Sequence, residues 1–268
     1  MTTILITGAA GLIGGMLRAR LAAPGRTLRL ADIVDIDQPG PGEESCVADV
    51  TDLSAMLAIT QGVDAIVHLA GIATEGSWED ILRVNIDGTR NVLEAAAESG
   101  VPRVLLASSN HALGFQQLPP DGPLAADTHQ RPDTYYGVSK AAMEALGSLY
   151  ADRYPMDVLA MRIGSCFPEP HNVRALATWL SPDDCARLVE AGLSAPAGFR
   201  YREVWGVSNN THRWWSLEAG ASIGYHPVDN ADKYASALVG HDEPDWKNNP
   251  ELVRVGGAFC DFPLGQPG

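Results

Sequence analysis

Basic residues are scarce in this chain of 268 residues: 19 Lys and Arg stand against 33 Asp and Glu, a formal net charge of -14. A surface of that sign repels phosphate backbones and anionic headgroups, so neither nucleic acid nor a membrane is expected as a partner. Any small anionic substrate would need a local cation. Cysteine is also thin. The four, at 46, 166, 185 and 260, form no Cys-x-x-Cys pair and suit neither a zinc site nor a disulfide framework. The expectation is a metal-free protein of a reducing cytoplasm. No apolar run reaches the roughly 18 residues that suggest a membrane span, and the first strand is predicted from Thr3, leaving no room for a leader. Internal repeats and low-complexity tracts are missing too.

What is present is a rhythm. Short apolar runs alternate with longer amphipathic stretches, the pattern of βαβ units and a parallel sheet. It predicts strands at Thr3 to Thr7, Thr27 to Ala31, Glu44 to Ala48, Ala65 to Leu69, Arg103 to Ala107 and Asp157 to Arg162. Helices are predicted at Gly11 to Ala22, Leu53 to Gln61, Ser77 to Ser99 and Thr134 to Tyr154. The proline-rich stretch Leu118 to Pro132 fits neither period and is read as a surface loop. Past Arg162 the pattern loosens, with a helix at Pro182 to Ala191 and a strand near Tyr201 to Val207. The fold class is therefore α/β, a Rossmann-type doubly wound parallel sheet over residues 1–163. A small C-terminal substrate-binding lobe, 164–268, is interleaved with it.

Strand Ile4-Leu5-Ile6 runs into Gly8, Gly11 and Gly14, a Gly-x-x-Gly-x-x-Gly turn opening a helix. Such a turn brings backbone close to a pyrophosphate and aims the helix N-terminus at it. Asp32, 18 residues after Gly14 at the end of the next strand, suits the two ribose hydroxyls of an adenosine and repels a 2′-phosphate, which favours NAD over NADP. Asp49-Val50 can clamp the adenine, although Asp49 equally suits a helix cap. Leu69, Ala70 and Gly71 are small enough to let a cofactor pass. Asn85, within a helix, either braces neighbouring strands or faces solvent.

Tyr136 and Lys140 share one helix face, because four residues make slightly more than one turn. A nearby ammonium and the cofactor's own charge are expected to bring the phenol toward neutrality so that it acts as a base. Ser109, at the end of the fifth strand, can bond the reacting oxygen. His111 suits a proton relay, a substrate hydrogen bond or a structural role. Arg174, judged on its surroundings in the sequence alone, reads as a surface ion pair.

Together the turn Thr7 to Gly14, His68-Leu69-Ala70-Gly71, Ser108-Ser109-Asn110 and Tyr136-Gly137-Val138-Ser139-Lys140 resemble the extended short-chain dehydrogenase/reductase superfamily, over essentially the whole chain. Its uronate-oxidising members are the nearest in kind, through Ala107 to His111, Arg162 to Cys166 with Pro168-Glu169-Pro170, and Arg174. That resemblance implies NAD-dependent oxidation of the C1 hydroxyl of a cyclic uronic acid to an aldarolactone. It casts Tyr136, Lys140 and Ser109 as catalytic and extends the cofactor set to Ala10, Leu12, Ile13, Ile33, Asn85, Ser108 and Ile163, with Tyr136 and Lys140 also touching the cofactor. Ser109, Asn110, His111 and Ser165 would bond sugar hydroxyls, and Arg174 would grip the carboxylate through a bidentate pair. Where a substrate-contacting serine is expected after Gly71, this chain has Ala73 and Thr74, and Thr74 is the replacement. A homo-oligomer is implied as well. The rival readings are a nucleotide-sugar epimerase or dehydratase, which needs a larger lobe, and a noncatalytic NAD sensor, which has no use for Ser109, Tyr136 and Lys140 together.

Overall fold

A computed structural model describes residues 2–119, 122–240 and 244–267. Its main sheet is built from β1 (Thr2–Thr7), β2 (Arg26–Asp32), β3 (Glu43–Val47), β4 (Ala65–His68), β5 (Arg103–Ser109), β6 (Asp157–Ile163) and β7 (Tyr201–Gly206). The spatial order is β3-β2-β1-β4-β5-β6-β7, and every pairing is parallel. Strand order reverses between β1 and β4, which opens a crevice beyond their carboxyl ends, where ligands of such sheets bind.

The helices are α1 (Leu12–Leu21), α2 (Leu53–Ile59), a long α3 over 78–98, α4 (Tyr135–Arg153) and α5 (Pro182–Ser194). Both faces of the sheet are covered, and β1 shows why its residues alternate: Ile4 and Ile6 join the core under α1 and α5, whereas Leu5 joins the one under α2, α3 and α4. The central strands thereby bury both faces, which explains their near-continuous apolar runs, whereas the edge strand β3 is partly exposed along its length. Helix starts are set by side chains. Asp52 caps α2 through the N–H groups of Ser54 and Ala55, Thr134 caps α4 through Gly137, and Ser181 caps α5 through Asp184.

Two features were not legible beforehand. The middle of α3, Ile81–Asp87, is π-helical, a widening that recurs at functional sites. Residues beyond 163 also do not all stand apart from the sheet, because α5 and β7 complete it at the β6 edge. What remains forms a lobe around the stacked Trp205 and Trp215 rings, 4.5 Å apart, with a short pair of strands, Ser165–Cys166 and Trp179–Leu180. The stretch from Leu118 to Pro132 carries no helix; its Pro120 and Asp121 lie outside the described residues, and Leu124 bridges to Trp215. Among the described residues no helix is long and apolar enough to cross a membrane, and no group of three side chains could hold a metal ion.

Candidate active site

Two adjoining cavities lie at the carboxyl ends of the strands. The first, about 660 Å³, is lined by Gly8, Ala10, Gly11, Leu12, Ile13, Gly14, Asp32, Ile33, Asp49, Val50, Leu69, Ala70 and Gly71. The glycines are sterically required. Gly8 has φ +72°, and a Cβ there would lie 2.6 Å from the Ala70 backbone nitrogen; one on Gly14 would lie 2.6 Å from the Ala9 Cα. At its N-cap, Gly11, α1 has no side-chain cap, so its first N–H groups stay available to an anion. Asp32 accepts from the Ala10 N–H at 3.0 Å and the Val34 N–H at 3.4 Å, which holds the carboxylate at the mouth of the cleft. Arg83 also lines the cleft, but its charge is bound to Asp80 at 2.9 Å. Asp49 accepts from the Thr51 N–H at 2.8 Å, and the helix cap belongs to Asp52. A dinucleotide fits this set of donors, small residues and two acids, Asp32 and Asp49.

The second cavity, about 460 Å³, shares Leu12, Ile13, Leu69 and Gly71 with the first and adds Ser109, Asn110, His111, Tyr136, Lys140, Ile163, Ser165 and Arg174. Tyr136 and Lys140 project from the first turns of α4, and the ammonium sits 5.4 Å from the phenol ring centroid. Lys140 donates to the Ala107 carbonyl at 2.7 Å. Burial lowers its pKa to about 8, partly offset by Glu144. Burial also pushes Tyr136 up to about 12, against a hydrogen bond with Ser109 that lowers it and with a further rise from Asp133. In the protein alone, burial outweighs the neighbouring ammonium at the phenol. Two buried groups both lose solvation, and the ammonium faces a carbonyl, not the phenol oxygen.

His111 is held from behind. Its Nδ1 lies 2.7 Å from Asp133 Oδ2; a carboxylate only accepts, so Nδ1 carries the proton. The ring packs edge-on to Tyr136 at 5.7 Å and stacks on Phe259 at 4.0 Å. Ser165 shares a hydroxyl contact with Thr178 at 2.9 Å, and Asn110 donates to the Val255 carbonyl at 2.8 Å. Arg174 donates through Nη2 to the same carbonyl, and its buried Nε has no partner. Burial lowers the guanidinium pKa to about 10, opposed by Cys260, Asp133 and Glu251. The surface ion pair read from the bare sequence is thus replaced by a half-buried cation that lines the cavity.

Two residues named from the sequence, Thr74 and Asn85, stand elsewhere. Thr74 lines neither cavity; Ala73, beside it, lines both. Asn85 is enclosed in the π-helical turn, where it accepts from Ile72 N–H at 2.8 Å and donates to Ile72 O and to Ser139, each at 3.0 Å. It therefore braces the loop after Gly71 against α4 and does not line the cofactor cleft. Ser108 lines the second cavity, but its hydroxyl donates to Glu144 at 2.6 Å, because the alternation of β5 turns it into the buried Arg162–Glu144 pair. Asp133 and the segment carrying Gly256, Ala258, Phe259 and Phe262, which closes the second cavity, went unnoticed; the Gly256-Gly257 pair was their one visible signal. A larger cleft, about 700 Å³, opens at the opposite ends of the strands. Its Arg26 and Arg103 are committed to Glu190 and Asp157, and it is remote from Tyr136.

A profile of the NAD dependent epimerase/dehydratase family matches residues 4–188. The chain belongs to this family. Within the NAD dependent epimerase/dehydratase family, the uronate dehydrogenase of Pseudomonas putida is 42% identical, covering 96% of this chain and 95% of its own. The crystal structure of uronate dehydrogenase from Agrobacterium tumefaciens superposes with a TM-score of 0.90 at 41% identity, covering 99% of each chain. A mutant of that enzyme complexed with NAD superposes at 0.89, with 41% identity and 98% of each chain covered.

Proposed function

We propose that this protein oxidises the C1 hydroxyl of a cyclic uronic acid, glucuronate or galacturonate, to the aldarolactone with NAD. The observation that carries the reading is Arg174, a half-buried guanidinium that lines one cavity with Tyr136 and Ser109 and pairs with no carboxylate among the described residues. In an acidic protein, a desolvated guanidinium without a carboxylate is costly, and a substrate carboxylate removes that cost through charge-assisted bonds. The relatives that match end to end support the same chemistry.

The residues divide the work by position. Gly8, Gly11, Gly14 and the start of α1 hold the pyrophosphate, with Asp32 on the adenosine ribose and Asp49-Val50 beside the adenine. Bound NAD supplies the hydride acceptor and a positively charged ring. As a phenolate, which the cofactor's positive charge and the adjacent Lys140 would favour, Tyr136 takes the hydroxyl proton at its phenol oxygen, while Ser109 holds the substrate oxygen. Ser165, Asn110 and His111 line the sugar's flanks, and Asp133 fixes the His111 tautomer so that Nε2 faces substrate. Residues 1–163 are read as the cofactor side and 164–268 as the substrate side.

A cytoplasmic homo-oligomer completes the proposal. It is supported by the cysteines, all free, and by Leu149 and Tyr154, which leave apolar surface exposed on α4. The test is NADH formation against uronic acids, plain aldoses and nucleotide sugars. Turnover confined to uronates is expected; preference for a nucleotide sugar would replace this reading with an epimerase-like one.

A further inference from the structure

The family match ends at residue 188, yet the end of the cavity that holds Arg174 is walled by chain from far beyond it. Val255 is fully buried, and its carbonyl accepts from both Arg174 Nη2 and Asn110 Nδ2. One backbone oxygen therefore fixes the guanidinium against the end of β5. The next two residues lack side chains where the packing is tightest. A Cβ on Gly256 would overlap the Asp133 carboxylate that holds His111. Gly257 turns through φ +59°, and a Cβ there would lie 2.5 Å from Arg174 Nε and 2.8 Å from its Cδ.

We infer that Gly257 is a specificity-determining residue: its bare α-carbon lets the Arg174 guanidinium lie in the one setting in which it lines the cavity and can meet a substrate carboxylate. The Val255 carbonyl anchors one nitrogen of the guanidinium, and the left-handed turn at Gly257 lays backbone along its other side. A methyl group at this position meets the flexible end of Arg174 before it meets any backbone, so the arginine moves and loses its alignment while the fold keeps its shape. Neither Val255 nor Gly257 lines the cofactor cleft. This inference rests on the uronate reading and sharpens it, assigning carboxylate recognition to a glycine as well as to the cation.

The test compares Gly257→Ala with Gly62→Ala. Gly62 has φ +67° with nothing within 4 Å of a built Cβ, so it carries the backbone strain without the collision. Gly257→Ala is expected to raise KM for glucuronate about 10- to 100-fold, the worth of a charge-assisted contact. Its kcat and its NADH dissociation constant stay near the parent's, and Gly62→Ala leaves all three unchanged. In an Arg174→Ala background, Gly257→Ala should add nothing further to KM. If Gly257→Ala alone does not fold, the double variant should, since the colliding side chain is gone. An unchanged KM, a matching fall in NADH affinity, an additive effect in the Arg174→Ala background or an unfolded double variant would each overturn the inference. Failure of the underlying reading looks different: the parent itself would not oxidise glucuronate.

Discussion

Replacing Lys140 with Met should remove activity and yet leave the protein at least as stable as its parent at neutral pH. Burial brings the ammonium from 10.5 to about 8, which corresponds to about 3 kcal/mol borne by the charged form near neutrality. Met fills a similar volume without charge. It forfeits the bond to the Ala107 carbonyl, 2.7 Å long and worth about 1.5 to 3 kcal/mol. The balance favours the variant by about 0 to 2 kcal/mol. The dependence on pH is the sharper signature. Between the folded value near 8 and the free value of 10.5, the unfolded chain keeps a proton that the folded chain has released. Parental stability therefore rises with pH across that window, and below it the cost is fully present. Lys140→Met lacks this rise, so its advantage should shrink by about 2 kcal/mol between neutral pH and about pH 9.5. Urea unfolding of both proteins at the two pH values, followed by tryptophan fluorescence, measures the difference, in which other titrating groups cancel. Parallel pH dependences, or a variant clearly less stable than the parent at neutral pH, would refute the reasoning.

Gly8→Ala places a methyl group against the Ala70 backbone, which cannot give way; NAD affinity by calorimetry should fall about 100-fold or more, and an unchanged Kd would remove the turn from the cofactor site. Asp32→Asn takes away the charge that repels a 2′-phosphate, so the ratio of NADP to NAD use in steady-state kinetics should rise about tenfold or more; a constant ratio would place selectivity elsewhere. Ser108→Ala loses its bond to Glu144 and should cost about 1 to 2 kcal/mol of stability with kcat nearly intact. A collapse of kcat without destabilisation would return that hydroxyl to the reaction. Thr74→Ala should leave KM for uronates within about twofold, well below the tenfold that 1.4 kcal/mol produces.

The sheet and its helices were legible because strand burial and helix amphipathicity write themselves into local periodicity. Every strand of the first 163 residues was read to within two residues at either end, and Gly8, Gly14 and Asp32 carry their meaning through position in the first βα units. Side-chain direction was less accessible. Ser108 and Ser109 are neighbours, but only the pleat of β5 decides which hydroxyl meets Tyr136 and which meets Glu144. Asn85 was visible as a misfit in a helix, whereas its hold on Ile72 depends on the π-helical turn. The environment of Arg174 is made by residues more than eighty positions away, Val255 among them, and no local pattern encodes such a meeting. Lys140 and Tyr136 were paired correctly by spacing, but their ionisation depends on burial, which the spacing does not contain.

The account stands on one sugar acid being held between Tyr136 and Arg174. A crystal structure of Tyr136→Phe with NAD and glucuronate tests this most directly. The carboxylate is expected on the Arg174 guanidinium, with the C1 hydroxyl beside Ser109 and the edge of the substituted ring. A sugar bound with its carboxylate away from Arg174, or with C1 remote from residue 136, would contradict it.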